Sequence, residues 1–203
     1  MMAKSALSNA FKMPTPVKIT GRTSSITNSF VNGIIPAIMP GDEEIALALE
    51  VLGMDASDVC CAYCGDPATE WDHLNAIVQG KRPTGYITEI HNLVPACGKC
   101  NQSKGNKPWR NWMFGPSPLS PASRGVGDVE ERAERIAEYE RRFPPMQIDF
   151  ESMVDGGLWE AYWDAHGRLV EQMKRCEELA AAVRADISAQ VELLSDRRID
   201  SGH

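Results

Sequence analysis

The sequence predicts an α+β fold, with a small strand–loop–strand–helix core followed by a helical C-terminal region. The core is indicated by two short strand-like stretches, 69–74 and 86–90, joined by a turn-rich connection and followed by a short helix from Gly98 to Gly105. The helical region is indicated by apolar residues at helical spacing in 128–143 and in the longer stretch 158–195. With 203 residues and 43% hydrophobic content, the chain can bury a core.

The first 52 residues contribute a tail, a connecting segment and one helix. Residues 1–23 carry basic residues, two prolines and no acid, which predicts a flexible tail; a basic arm touching nucleic acid is the alternative. Residues 24–40 mix apolar residues with glycine and proline, which favours an irregular segment packed on the core. Three consecutive acids begin a predicted helix from Asp42 to Leu52, because acids stabilise the positive end of the helix dipole.

Two C-x-x-C pairs carry the clearest chemical signal. Their members are Cys61, Cys64, Cys97 and Cys100. Four thiolates form the closed tetrahedral set of a structural zinc site, which can contribute on the order of 10–16 kcal/mol to folding. Gly65 permits the turn of the first pair, and the adjacent Cys60 is interpreted as a spare buried thiol. Two local disulfides are the competing interpretation, which the lack of an evident secretion signal disfavours.

The distribution of charge matters more than its total of −7. The stretch from His73 to Trp112 contains six basic residues and one acid, giving +5, so the remainder of the chain is −12. A local basic patch favours phosphate binding, although a solvated charged surface gives the same pattern. No apolar run approaches the roughly 20 residues of a membrane span, and we expect a cytoplasmic protein with no membrane partner.

An Asp-His pair followed by the pattern N-L-V-P-A-C-x-x-C-N-x-x-K-G resembles the HNH endonuclease family, over about residues 60–112. The resemblance implies a ββα-metal core with His73 as general base and Asn92 as the residue that braces it. It further implies Asp72 and Asn101 as ligands of a catalytic divalent ion. Because the third family position is Asn here, the sequence resembles the H-N-N variants.

The residue types suit phosphodiester hydrolysis. An imidazole such as that of His73 titrates near neutral pH, and a hard Mg²⁺ or Mn²⁺ ion can stabilise the phosphate and the leaving oxygen. Neighbouring strand residues point to opposite faces, so a shared site for Asp72 and His73 requires a distortion or a strand end. Asn101 is turned by about 100° around its helix from Cys100, so two ions could occupy different sides of one helix.

Four further residues are predicted to contact substrate. They are Lys104, Lys107, Arg110 and His91. Lys104 shares a helix face with Asn101, which predicts a phosphate contact near the catalytic ion. The resulting hypothesis is a metal-dependent endonuclease acting on double-stranded DNA, of restriction or phage-associated type, that leaves 5′-phosphate ends. The alternatives are a catalytically inactive zinc-containing nucleic-acid-binding module and an interaction scaffold built on the long helix.

The predicted domain organisation has three regions: a tail (1–23), a zinc-stapled nuclease domain (24–118) and a helical region (119–203). The long helix carries a repeat alternating between four and three residues, typical of a coiled-coil seam. Its members are Leu169, Met173, Cys176, Ala180, Val183, Ile187, Gln190 and Leu194. This seam predicts pairing either within the chain or in a homodimer.

Overall fold

A computed structural model describes the backbone of residues 13–200 and the side chains of residues 13–194. Its helices are α1 (Thr23–Asn32), α2 (Asp42–Val51), α3 (Gly98–Lys104), α4 (Trp109–Phe114), α5 (Val129–Arg142) and α6 (Gly156–Asp200). Its strands are β1 (Glu70–His73), β2 (Val78–Gln79), β3 (Arg82–Pro83) and β4 (Leu93–Ala96). Single 3₁₀ turns cover Ile19–Arg22, Ile90–Asn92 and Ala122–Arg124. The predicted α+β class is confirmed, while most of the predicted tail, residues 1–12, lies outside the described residues.

Helix α2 begins as the sequence predicts. Glu44, three residues inside the helix, accepts a 2.8 Å hydrogen bond from the backbone N–H of Gly41, which immediately precedes it. This bond satisfies a donor that the helix itself leaves unpaired. The prediction of an irregular segment over 24–40 was wrong for its first part, because α1 extends to Asn32 before the chain turns.

The strands form two small antiparallel pairs, β1 with β4 and β2 with β3. In the first pair Asp72 lies opposite Val94 and His73 opposite Leu93. The prediction of a strand over 86–90 was wrong: this stretch makes only single bridges, and the partner of β1 begins at Leu93. The stretch is nevertheless packed into the core, because the side chains of Ile87 and Ile90 are buried.

One hydrophobic cluster joins the cysteine pairs to α2, β4, α4 and α5. Its largest fully buried members include Tyr63, Trp112, Ile136 and Tyr139. The Tyr139 hydroxyl donates a 2.6 Å hydrogen bond to the backbone carbonyl of Ile90, directly beside the 3₁₀ turn that precedes β4. Helix α5 therefore packs in the same core as the cysteines, although it follows them by some 30 residues.

The chain divides into two compact units, one spanning 27–160 and the other combining 1–26 with 161–203. The predicted boundaries at 23 and 118 stay a prediction. Within the second unit, the Thr20 backbone N–H donates to Glu177 on α6 at 3.1 Å. The seam residues Val183 and Ile187 are more than half exposed, and dimerisation through them stays a prediction. No helix in the described part of the chain has the length and apolarity required to cross a membrane.

Candidate functional site

The four predicted zinc ligands converge. The Sγ atoms of Cys61, Cys64, Cys97 and Cys100 all lie within 4.8 Å of one another. The Cys64 and Cys97 sulfurs are 3.7 Å apart, close to the separation of about 3.8 Å that tetrahedral zinc–sulfur bonds impose. The donor set and its geometry therefore fit zinc, and because all four cysteines are free thiols in the structure, the two-disulfide alternative does not fit.

Tight turns of the backbone place the four sulfur atoms close together. In the first pair, the Gly65 N–H donates to the Cys61 carbonyl and the Cys61 N–H donates to the Asp66 carbonyl, at 2.9 and 2.7 Å. Gly65 has φ +78°, and a Cβ there would also collide with the Arg132 guanidinium, so glycine is required for two reasons. In the second pair, Cys97 immediately precedes α3 and Cys100 lies in the first turn of that helix.

Asp72 and His73 lie side by side on β1, and their side chains have different partners. The Asp72 carboxylate is buried and takes two contacts on Oδ2: the Tyr63 hydroxyl donates at 2.7 Å and the Lys104 ammonium lies at 3.0 Å. The His73 ring contacts the Thr88 hydroxyl through Nε2 at 2.9 Å. The regular pairing of β1 with β4 extends through both residues, and β1 ends at His73, so the pair lies at a strand end, which is one of the two conditions predicted for a shared site.

The buried cluster of Tyr63, Asp72 and Lys104 is strongly coupled. Burial raises the pKa of the Asp72 carboxyl, and the nearby Lys104 charge partly opposes that change. Burial lowers the pKa of the Lys104 ammonium, and the Asp72 charge opposes that change in turn. Burial and the Asp72 charge both raise the pKa of Tyr63, which remains a hydrogen-bond donor. The ion pair persists because each charge offsets the desolvation of the other.

Lys104 also connects this cluster to the candidate base. Its ammonium donates to the His73 carbonyl oxygen at 2.6 Å, so one side chain fixes both the Asp72 carboxylate and the His73 backbone. Burial, and secondarily the Lys104 charge, lower the pKa of the His73 imidazole to about 4. The ring is therefore neutral near pH 7, which is the protonation state that a general base needs.

Asn92 acts as a brace, but on a neighbouring segment. Its fully buried amide accepts from the Asn75 N–H at 2.9 Å and donates to the Asn75 carbonyl at 3.0 Å. Its own carbonyl accepts from the Leu74 N–H at 2.8 Å. These bonds hold the chain just after His73, whereas the predicted contact was with His73 itself. Asn92 therefore positions His73 only indirectly, through the residues that follow it.

The predicted substrate contacts are dispersed. Lys107 is exposed and donates to the Ser103 carbonyl at 2.6 Å, and Arg110 is exposed and pairs with Glu134 at 3.0 Å. The His91 ring stacks on Phe143 with centroids 5.2 Å apart. Lys104 differs from the prediction most, because its side chain has no exposed surface and its ammonium points to Asp72 rather than to solvent.

The residues predicted to bind the catalytic ion make no described contact with one another, and their role stays a prediction. Asn101 lies on α3 with a half-buried side chain, and its described hydrogen bonds are those of the helix backbone. Among the described residues, no hydrogen bond or ion pair joins the side chains of Asp72, His73 and Asn101. The Asp72 carboxylate is a hard oxygen donor, which suits a divalent ion such as Mg²⁺. In this structure, however, the Lys104 ammonium is paired with that carboxylate.

Sequence reasoning missed three residues around the site: Tyr63, Thr88 and Arg124. Tyr63 lies between the first two cysteines, and its position inside a metal-binding turn was a usable sign of burial. Thr88 lies in the stretch that was interpreted as a strand, and no sequence signal links it to His73. Arg124 donates to Cys100 Sγ at 3.1 Å from the connection between α4 and α5.

The family comparison covers this part of the chain. The family model described as HNH endonuclease matches residues 61–107. Residues 61–107 thus form an HNH endonuclease segment. This HNH segment contains all four cysteines together with Asp72, His73, Asn92 and Asn101. Arg110, Arg124 and helix α5 lie outside it.

A curated relative supports the same assignment. Over 56 residues the chain is 43% identical to the CRISPR-associated endonuclease Cas9 of Corynebacterium diphtheriae. The similar region is 26% of this chain and 5% of that relative, so the likeness concerns the HNH segment and not the whole of either protein. No solved structure gives a significant match to this chain.

Proposed function

We propose that this protein is a metal-dependent HNH endonuclease that hydrolyses DNA phosphodiester bonds. The observation that carries the proposal is the cysteine cluster holding together the HNH segment, in which β1 presents the Asp-His pair and α3 begins at the second cysteine pair. The relative's description as an endonuclease supports it. We further propose duplex DNA as substrate, because the basic residues at the surface suit a polyanion.

His73 is the proposed general base. With Nε2 engaged by Thr88, the other ring nitrogen, Nδ1, is available to accept a proton from the attacking water. The tightly braced segment after His73 limits movement of the ring, which keeps the base oriented. A cavity of about 450 Å³ is lined by Leu74, Asn75 and Lys107, close to His73 in sequence, although His73 itself does not line it.

A divalent ion, Mg²⁺ or Mn²⁺, would supply charge stabilisation for the phosphate and the leaving oxygen. Asp72 and Asn101 are the residues proposed to hold it. For Asp72 to do so, its carboxylate must exchange Lys104 for the ion, and the released ammonium could then contact the substrate phosphate. The structural zinc is proposed to bind Cys61, Cys64, Cys97 and Cys100.

The direct test is cleavage of supercoiled plasmid with Mg²⁺ or Mn²⁺ by the zinc-loaded protein. We expect nicked or linear product from the unaltered chain and a loss of about 10²–10⁴-fold in rate for His73→Ala, with zinc content unchanged. His166→Ala, which alters a histidine outside the HNH segment, is the matched control and should cleave normally. Undiminished cleavage by His73→Ala would exclude His73 as the base.

The second candidate function is a catalytically inactive zinc-containing nucleic-acid-binding module. One observation favours it: the Asp72 carboxylate is buried and already paired with Lys104, as in a structural ion pair. A pure binding module would shift DNA in a gel while leaving plasmid intact with either metal. Linear product formed without a nicked intermediate would support the proposed homodimer, and cutting at fixed positions would support the restriction-type role.

A further inference from the structure

Arg124 lies against the cysteine cluster although it follows the HNH segment by 17 residues. Its Nη2 donates to Cys100 Sγ at 3.1 Å, and its Nη1 pairs with Asp66 Oδ2 at 3.2 Å. Asp66 belongs to the turn of the first cysteine pair, whereas Cys100 belongs to the second pair. One guanidinium therefore bridges both halves of the cluster. Its side chain is only 19% exposed.

The surrounding loop holds Arg124 in this position. The fully buried Ser120 donates from its hydroxyl to the Gly115 carbonyl at 2.8 Å. The backbone carbonyl of Ser120 accepts from the Arg124 N–H at 3.0 Å, at the start of the 3₁₀ turn that carries the arginine. Gly125 follows with φ +70°, which reverses the chain immediately after Arg124. The side chain is thus presented by a closed turn rather than by a freely moving loop.

The charge of the cluster explains why a guanidinium would be placed there. Four thiolates around one Zn²⁺ ion leave a net charge of −2 at a largely buried site. A buried negative charge is costly unless a cation or hydrogen-bond donors compensate it. Arg124 supplies both, and its planar fork reaches a sulfur and a carboxylate at once, which the single ammonium of lysine does not reproduce.

We propose that Arg124 is a positioning residue of the zinc site, which stabilises the Cys100 thiolate and slows loss of the metal. Its role is to retain zinc and not to contact DNA. The proposal extends the functional zinc unit beyond the matched HNH segment to the loop at 115–127. It does not depend on nuclease activity, since it concerns only the metal bound by the four cysteines.

The test measures transfer of zinc from the full-length, zinc-loaded protein to the chelator 4-(2-pyridylazo)resorcinol. We expect Arg124→Gln to release zinc about tenfold faster than the unaltered chain, and Arg124→Lys to lie between them. Arg141→Gln is the matched control, because Arg141 is an exposed arginine that pairs with Glu138 on α5. It should release zinc at the unaltered rate.

A second measurement separates a direct effect on sulfur from a looser fold. With Co²⁺ in place of zinc, loss of the Arg124 hydrogen bond should move the sulfur-to-cobalt charge-transfer band to longer wavelength, while Arg141→Gln leaves the band in place. If Arg124→Gln does not fold, the same two measurements on Arg124→Lys decide the matter. Release within twofold of the unaltered rate together with an unmoved cobalt band would overturn the proposal, as would a purified chain that binds no zinc.

Discussion

The cysteine cluster and the Asp72–His73 region lie in one core but differ in how their side chains are arranged. The four cysteine sulfurs converge within 4.8 Å, whereas Asp72 and His73 contact separate partners, Lys104 and Thr88. In the cluster, short turns with a required glycine leave few conformations for the four sulfurs. In the Asp72–His73 region, a regular strand directs the two adjacent side chains to opposite faces. A ligand could bring these two side chains together only if it bound both of them.

The largest effect should follow from altering the cluster. Replacing Cys97 by Ser should remove zinc and destabilise the fold by many kcal/mol, since structural zinc contributes on the order of 10 kcal/mol to folding. Zinc content and thermal unfolding measure the change. Cys176→Ser, which alters a free thiol on α6, is the control and should retain both. A zinc-free Cys97→Ser protein that unfolds like the unaltered chain would mean that the cluster is not the organising element.

The buried ion pair should give the next largest effect. Lys104→Met leaves the Asp72 carboxylate buried without its cation and should cost about 3–5 kcal/mol of unfolding free energy. The double variant Asp72→Asn/Lys104→Met should lose less than the two single variants summed, as urea unfolding of all three would reveal.

The double variant also sharpens the comparison between the two regions. If Asp72 holds the catalytic ion, this variant should be folded and zinc-loaded yet inactive on plasmid. Cleavage at the unaltered rate would show that Asp72 serves only as the partner of Lys104. The catalytic ion would then have to be held by residues other than Asp72, with His73 still the proposed base.

A smaller effect should appear in the dependence of stability on pH. Burial and the Lys104 charge lower the pKa of His73 to about 4 in the folded chain, against about 6.5 when unfolded. Folding thus favours the neutral ring, so its contribution is fully present above pH 6.5 and is lost as pH falls from 6.5 towards 4, by about 3 kcal/mol. Unfolding measured between pH 7.5 and 4.5 should show a shallower decline for His73→Asn. Identical slopes for the two proteins would contradict this shift.

The smallest effects should come from the exposed basic residues. Arg110→Gln and Lys107→Gln should leave folding unchanged, because both side chains are exposed. Each should lower the salt dependence of DNA binding by about one unit of slope if its charge meets a phosphate. Fluorescence anisotropy at several salt concentrations measures this. Lys174→Gln on α6, an exposed lysine paired with Glu171, is the control and should keep the full slope.

The sequence was sufficient for the local parts of this fold. The cysteine spacing, the acids in the first turn of α2 and the apolar stripe of α5 each act within a few residues, and the structure has all three features. The prediction of a strand over 86–90 failed because Ile87 and Ile90 are buried from an irregular segment, and apolar residues there resemble those of a buried strand. The partners of Asp72 and the position of Arg124 depend on contacts between residues 9 to 58 positions apart, which no local pattern encodes.

Helix α5 has a consequence for where the chain can be cut. Ala133, Ile136 and Tyr139 are fully buried in the core that also holds the cysteines, and Tyr139 closes over the carbonyl of Ile90. A gene fragment ending at residue 118 would expose that apolar surface to water, and we expect insoluble expression from it. A fragment covering 27–160 keeps the helix, so limited proteolysis should spare the chain between those limits.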